Sequence, residues 1–242
     1  MGKTTTTVNL AAALAVAEKK TLLIDFDPQA NSSSSLGIRI DDDRDSIYEL
    51  LFGAAEFREV VCKTELQSLS ILPAHIRLVG AEIELVNMEA REKVLRSRIR
   101  TFADEFDFVI IDCPPSLGLL TLNGLTAADS VLIPLQAEYF ALEGLTQLLQ
   151  TIRTVQKRLN PALEMEGILL TMYDPRLNLA KQVHAELLEF FPSHIFKTII
   201  NRNVRVAEAP SFGKSVIHFA ISSQGAKDYL SLAEELIGKL ES

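Results

Sequence analysis

Short, nearly continuous apolar runs alternate with helix-length stretches along almost the whole of this chain, and no other feature limits its fold as tightly. Residues 21–26 (TLLIDF), 108–112 (FVIID), 130–135 (SVLIPL), 167–172 (GILLTM) and 196–200 (FKTII) are the runs in question. Apolar runs without polar alternation suit strands covered on both faces. Helical patterns at 4–18, 143–159 and 179–191 lie between them, which predicts βαβ crossovers and a parallel sheet. The expected fold is α/β, one domain over residues 1–242, with a mostly parallel central sheet and helices on both faces. A chain of 242 residues forms one such domain without division.

Several classes fall away. No apolar stretch approaches the ~18–20 residues that cross a bilayer, and Lys3 is followed by threonines rather than by the apolar core of a secretion signal. The expected location is cytoplasmic, with no membrane partner. Cys62 and Cys113 are too few for a disulfide or zinc framework and read as small buried hydrophobes. His75, His184, His194 and His218 have no metal-ligand spacing. The last helical pattern, 226–241, is acidic, whereas a helix lying on a membrane surface is usually basic, so it is expected to pack on the sheet. Residues 32–35 (SSSS) read as a loop or helix start, 41–45 as a solvated turn, and 82–92 as a solvated helix face.

Three segments carry chemistry. The chain opens Met-Gly-Lys-Thr-Thr and enters an Ala/Leu-rich helix, the second half of the phosphate-loop pattern G-x-x-x-x-G-K-[ST]. Gly2 lets backbone approach a phosphate, and a helix start offers free N–H groups and positive dipole. Lys3 would reach the β- and γ-phosphates and the Thr4 hydroxyl would hold Mg²⁺. An ordinary threonine-rich helix start gives the same tripeptide. The second segment, LLIDFDPQ, ends a buried strand in Asp25 and Asp27, which strand alternation aims to one side. Ligands of open α/β sheets bind at that edge. The third, FVIIDCPP, ends an apolar strand in Asp112, the Walker B arrangement that serves bound magnesium. Each is commonplace alone; the ordered set points to a phosphate-binding ATPase.

The stretches GKTTTTVNLAAALA, LLIDFDPQANSSSSLG, FDFVIIDCPPSLGLLTLNGL, PLQAEYFALEGL, GILLTMYDPRLNL and NRNVRVAEAPSFGKSV resemble ParA/Soj proteins essentially end to end. That family belongs to the deviant-Walker-A class of P-loop ATPases, with MinD among its relatives. The resemblance implies a P-loop NTPase fold, ATP and Mg²⁺ as ligands, and a homodimer on ATP binding. It implies non-specific DNA binding and a ParB-type centromere-binding partner that stimulates hydrolysis, with the protein on the nucleoid. Carried over by position, Lys3 is the phosphate lysine, Thr4 the magnesium ligand and Thr5 the next loop residue. Asp27 is the acid needed for hydrolysis, Asp112 the Walker B acid, and Asp25 a supporting group. Asp27 and Asp112 join Thr4 as the metal set, and the block at Pro210 is expected near the adenine.

The family pattern K-G-G-x-G-K-T-[ST] is met here only from its x onward. The expectation is that Met1 fills that position and that a strand and glycine turn belong about a dozen residues upstream. Formal net charge is −8, yet residues 176–214 hold six basic residues (Arg176, Lys181, Lys197, Arg202, Arg205, Lys214) against three acidic ones. Phosphate neutralisation needs such a local reversal, and Arg202, Arg205, Lys181 and Arg176 are the candidate DNA contacts. The competing readings are a MinD-like membrane-cycling ATPase, a metal-cluster reductase component and a hydrolysis-impaired remnant.

Overall fold

The computed structural model describes residues 2–138 and 141–240. Met1, the residues at 139–140 within PLQAEYFALEGL, and the end of the last expected helix at Glu241 lie outside the described residues. Helix α1 (Lys3–Val16) leads into strand β1 (Thr21–Asp25), and the short helices α2 (Asn31–Ser35), α3 (Ile47–Phe52) and α4 (Phe57–Val60) follow. Strands β2 (Cys62–Lys63) and β3 (Leu69–Leu72) come next, then α5 (Leu78–Val86), α6 (Val94–Ile99) and β4 (Phe108–Asp112). The second half runs α7 (Leu119–Ala127), β5 (Ser130–Gln136), α8 (Ala141–Arg158), β6 (Glu164–Thr171) and α9 (Asn178–Phe190). It closes with α10 (Val204–Glu208), α11 (Val216–Phe219) and α12 (Gln224–Leu240).

The local chemistry explains several of these boundaries. Ser46 and Glu49 form a reciprocal capping box that starts α3, and Gly53 in the left-handed region ends it. Met172 leaves β6 with φ 52°, so the run read as 167–172 is a strand over Glu164–Thr171. The helix read over 82–92 ends at Val86.

Helices cover both faces, as expected. On one face, α1, α11 and α12 bury Leu14, Val216, Tyr229 and Leu232 against Leu23 and Ile71. On the other, α3, α5, α6 and α7 pack Leu51, Leu78, Leu95 and Leu120 against Leu22 and Ile24. A third cluster sets α8 and α9 on β5 and β6 through Val155, Leu187, Ile133 and Ile168. No described helix is long and apolar enough to cross a membrane.

The sheet comes in two parts rather than one. Four strands run in the order β2-β3-β1-β4, and β5 pairs with β6 alone. All pairings are parallel except that of β2 with β3. Among the described residues, the free edge of β4 and that of β5 have no ladder partner, yet both strands pack beneath α1. Phe108 and Ile110 of β4 and Leu132 of β5 join the cluster around that helix. Every residue of β1 is buried, while Phe108 to Ile111 of β4 are only half-buried despite their apolar character.

One expected strand is corrected. Residues 196–200 run alongside β6 and bond to it at intervals, Phe196 N to Ile168 O (3.0 Å) and Ile200 N to Leu170 O (2.9 Å). The ladder is broken between these points, so only isolated bridges form. Strands β2 and β3 were not anticipated from the sequence pattern.

Candidate functional site

The start of α1 is shaped by Gly2, which has φ 94° and ψ 0°. A β-carbon there would be strained by the backbone conformation, which favours glycine, and would sit in tight contact 3.1 Å from Thr171 Oγ1. The Gly2 carbonyl accepts from Thr6 N at 2.9 Å and so opens the helix. No acidic residue occupies the first turn, which leaves the positive dipole end and free N–H groups uncompensated. Lys3, Thr4 and Thr5 stand half-buried in this turn.

The acids lie beside it. Asp25 and Asp112 are register partners at the C-terminal ends of β1 and β4. Asp25 is fully buried, and its Oδ2 accepts from both the backbone N and the Oγ of Ser33, each at 2.7 Å. Ser33 Oγ in turn accepts from Ala74 N at 3.2 Å, beyond the end of β3. Burial pushes the Asp25 carboxyl up to about 7, against the pull of the Ser33 bonds. The strand ends at Asp25, so alternation does not govern Asp27 as the sequence suggested. Asp25 is turned to α2, whereas Asp27 sits in the following turn and accepts from Gln29 N at 3.0 Å.

Ser32, next to Ser33, donates its hydroxyl to Asp112 Oδ2 at 2.7 Å. The other oxygen, Asp112 Oδ1, is buried and has no hydrogen-bond partner. Burial raises the Asp112 pKa, the Ser32 and Thr4 hydroxyls lower it, and the charge of Asp27 raises it again. Burial, with Asp112 adding, pushes the Cys113 thiol up to about 12; Lys3 pulls it down and Asp27 pushes it further. Cys113 is half-buried, and the charges of Lys3, Asp27 and Asp112 all bear on its thiol. A lysine and two carboxylates at the start of a helix can bind an anionic phosphate chain and its counter-ion.

A magnesium ion fits these residues. Mg²⁺ is held by one or two carboxylates plus substrate phosphates rather than by a protein cage. The unpartnered Asp112 Oδ1 is an acceptor of that kind, with the Thr4 hydroxyl close to the same carboxylate. Among the described residues no three His, Cys, Asp or Glu side chains gather as a cage.

The basic candidates occupy the same edge of the fold, beyond the end of β6. Arg176 is exposed and forms a two-pronged pair with Asp174, at 2.9 and 2.7 Å. Arg205 pairs with Glu208 at 2.9 Å. Arg202 and Arg176 line one shallow cleft with Tyr173, Asp174 and Asn201. Lys181 is exposed on α9. Two of the four arginine and lysine candidates thus carry a neighbouring carboxylate, which reduces their net field. Pro210 is exposed in a short 3-10 turn, Ala209–Phe212. Gly213 closes that turn against Gly37, where a β-carbon would meet Gly37 Cα at 2.9 Å.

Sequence reading did not single out Ser32 or Ser33 as site residues, nor Gln136 and Thr171 at the ends of β5 and β6. The serine run directly after DPQ was the available signal. The Ser32–Asp112 bond joins residues 80 positions apart, and no local periodicity reports such a contact.

A family model described as "AAA domain" matches residues 1–165. The chain is 55% identical over 237 residues to the chromosome partitioning protein ParA of Myxococcus xanthus, covering 98% of this chain and 84% of that one. It is 51% identical over 236 residues to the sporulation initiation inhibitor protein Soj of Bacillus subtilis, covering 98% and 93%. Among solved structures, cobyrinic acid a,c-diamide synthase from Mycobacterium smegmatis with bound ADP and magnesium superposes with a TM-score of 0.87. It is 36% identical, and the match covers 100% of this chain and 91% of that one.

Proposed function

Because this chain belongs to the ParA/Soj family of chromosome-partitioning ATPases, we propose that it binds ATP with Mg²⁺ at the start of α1 and uses hydrolysis to time its release from DNA. The observation that carries this reading is the buried, unpartnered Asp112 Oδ1 at the end of β4, on the carboxylate that the Thr4 hydroxyl approaches from the start of α1 opened by Gly2.

Each residue has a distinct task. The α1 N–H groups and Lys3 hold the β- and γ-phosphates. Thr4 and Asp112 hold the magnesium ion, which when bound neutralises charge on the phosphates. Asp27 orients the attacking water and receives its proton. Asp25 keeps Asp27 in place through Ser33, which closes the turn between β1 and α2. The turn around Pro210 flanks the adenine.

The ATP-bound state is a homodimer that binds DNA without sequence preference, through Arg202, Arg205, Lys181 and Arg176. A ParB-type centromere-binding protein stimulates hydrolysis and release. The protein works in the cytoplasm, on the nucleoid.

The test is DNA retention against salt, in ATP and in ADP, for this chain and for a version with an apolar strand and Lys-Gly-Gly placed before Met1. Retention is expected with ATP alone, with a steep salt dependence that loses about one unit of log–log slope per phosphate-contacting residue removed. Arg202→Ala and Arg205→Ala should each lower it. Salt-independent retention, or none by either version while nucleotide binds, would refute the DNA role.

A further inference from the structure

Thr171, the last residue of β6, is 2% exposed, and its Oγ1 makes no hydrogen bond. Buried Thr121 and Thr126 spend their hydroxyls on carbonyls, Ser116 O and Leu122 O, each at 2.6 Å, whereas Thr6 Oγ1 in α1 is, like Thr171 Oγ1, buried without a partner. The unpaired hydroxyl faces Gly2, 3.1 Å from where its β-carbon would be. Gln136, the last residue of β5, is its register partner, and Gln136 Oε1 is likewise buried without a donor. Unpaired polar atoms therefore end both strands, at the place where the phosphate-binding turn meets the sheet.

Leaving such atoms buried and unpaired is costly, and a partner supplied in a ligand-bound state is one way to account for them. The chemistry of the pair identifies that partner. A threonine hydroxyl donates or accepts, whereas an amide oxygen only accepts. A phosphate offers acceptors alone and leaves Gln136 Oε1 unserved in the orientation the amide holds here; only a flip that presents its N–H groups would serve one. A backbone peptide offers a carbonyl to the hydroxyl and an N–H to the amide oxygen.

We propose that Thr171 and Gln136 are positioning residues that lock the phosphate-binding turn at Gly2 when nucleotide is bound. The Thr171 hydroxyl donates to a carbonyl of the turn and Gln136 Oε1 accepts one of its N–H groups. Neither side chain touches the phosphates; both act through the backbone at Gly2. This rests on the nucleotide reading of the site given above.

Thr171→Val keeps the shape and deletes the hydroxyl, and Thr171→Ser keeps the hydroxyl. The experiment measures the dissociation constant for Mg-ATP and the melting temperature without nucleotide, for the wild-type chain and both variants. Thr171→Val is expected to melt at or above the wild-type temperature, since it removes a group with no partner. Its ATP affinity should fall about 2–12-fold, the net worth of one hydrogen bond, and serine should restore it. Unchanged ATP affinity in Thr171→Val, or a melting temperature lowered in step with affinity, would overturn the proposal and leave the nucleotide site standing. Failure of the wild-type chain to bind Mg-ATP at all would overturn the nucleotide reading, and this proposal with it.

Discussion

Asp25 and Asp112 end adjacent parallel strands in direct register, and consecutive serines of one short helix serve them: Ser33 bonds Asp25 and Ser32 bonds Asp112. Two buried carboxylates side by side repel, and each is costly to ionise without partners. The serines resolve this unequally. Asp25 is engaged by the backbone N and hydroxyl of Ser33, while Asp112 keeps one buried oxygen without a hydrogen-bond partner. The two strand-end carboxylates are therefore held differently, Asp25 by the loop at Ser33 and Asp112 by a single hydroxyl on one oxygen.

Asp25 should make stability fall as pH rises. Its folded pKa of about 7 lies above the ordinary value of 3.8. Between those values the folded state binds a proton that the unfolded state has released, so the stabilisation is complete below about pH 4 and lost towards pH 7. The slope reaches at most about −1.4 kcal/mol per pH unit. Urea denaturation from pH 4 to 8 should show this decline, and Asp25→Asn should flatten it. An equal slope in the variant would assign the pH dependence elsewhere.

Gly124 in α7 leaves room for Cys113. A β-carbon at 124 would lie 2.4 Å from Cys113 Sγ. Gly124→Ala should destabilise the fold by about 1–3 kcal/mol through overpacking. Adding Cys113→Ala should return most of that loss, a coupling read from a double-mutant cycle of denaturation midpoints. Simple additivity of the two changes would mean that the contact carries no strain.

The open edges of β4 and β5 make a third prediction. An apolar strand of about five or six residues followed by Lys-Gly-Gly, placed before Met1, should bury Phe108 to Ile111 and supply ladder partners to both strands. The melting temperature should rise by well over 5 °C, since even 1 kcal/mol moves a domain of this size by about 2–4 °C. A strand of the same length rich in Asp and Gly should give no such rise. Equal melting of all three forms would exclude a strand from that gap.

Much of this was legible in the sequence. The runs at 21–26, 108–112 and 130–135 are strands because unbroken β-branched stretches have few other stable placements. Lys3, Thr4, Asp27 and Asp112 were singled out because strand-end acids and a glycine-led helix start are local patterns. Strand β3 escaped because LSIL is four residues long and interrupted by Ser70. Residues 196–200 misled because their apolar character serves packing: Phe196 and Ile200 are buried against α1 and α12 without a continuous ladder. The contacts of Ser32 and Ser33 were hidden because each depends on a partner brought close only by the fold.

Mg²⁺-dependent phosphate release from ATP, set beside ATP binding in the wild-type chain and in Asp27→Ala, tests the central assignment most directly. Asp27 is predicted to serve hydrolysis and not binding. The variant should keep ATP affinity within about threefold and lose at least ~100-fold in turnover, the scale of a positioned general base. Turnover retained in Asp27→Ala, or lost only in proportion to ATP affinity, would contradict the site described here.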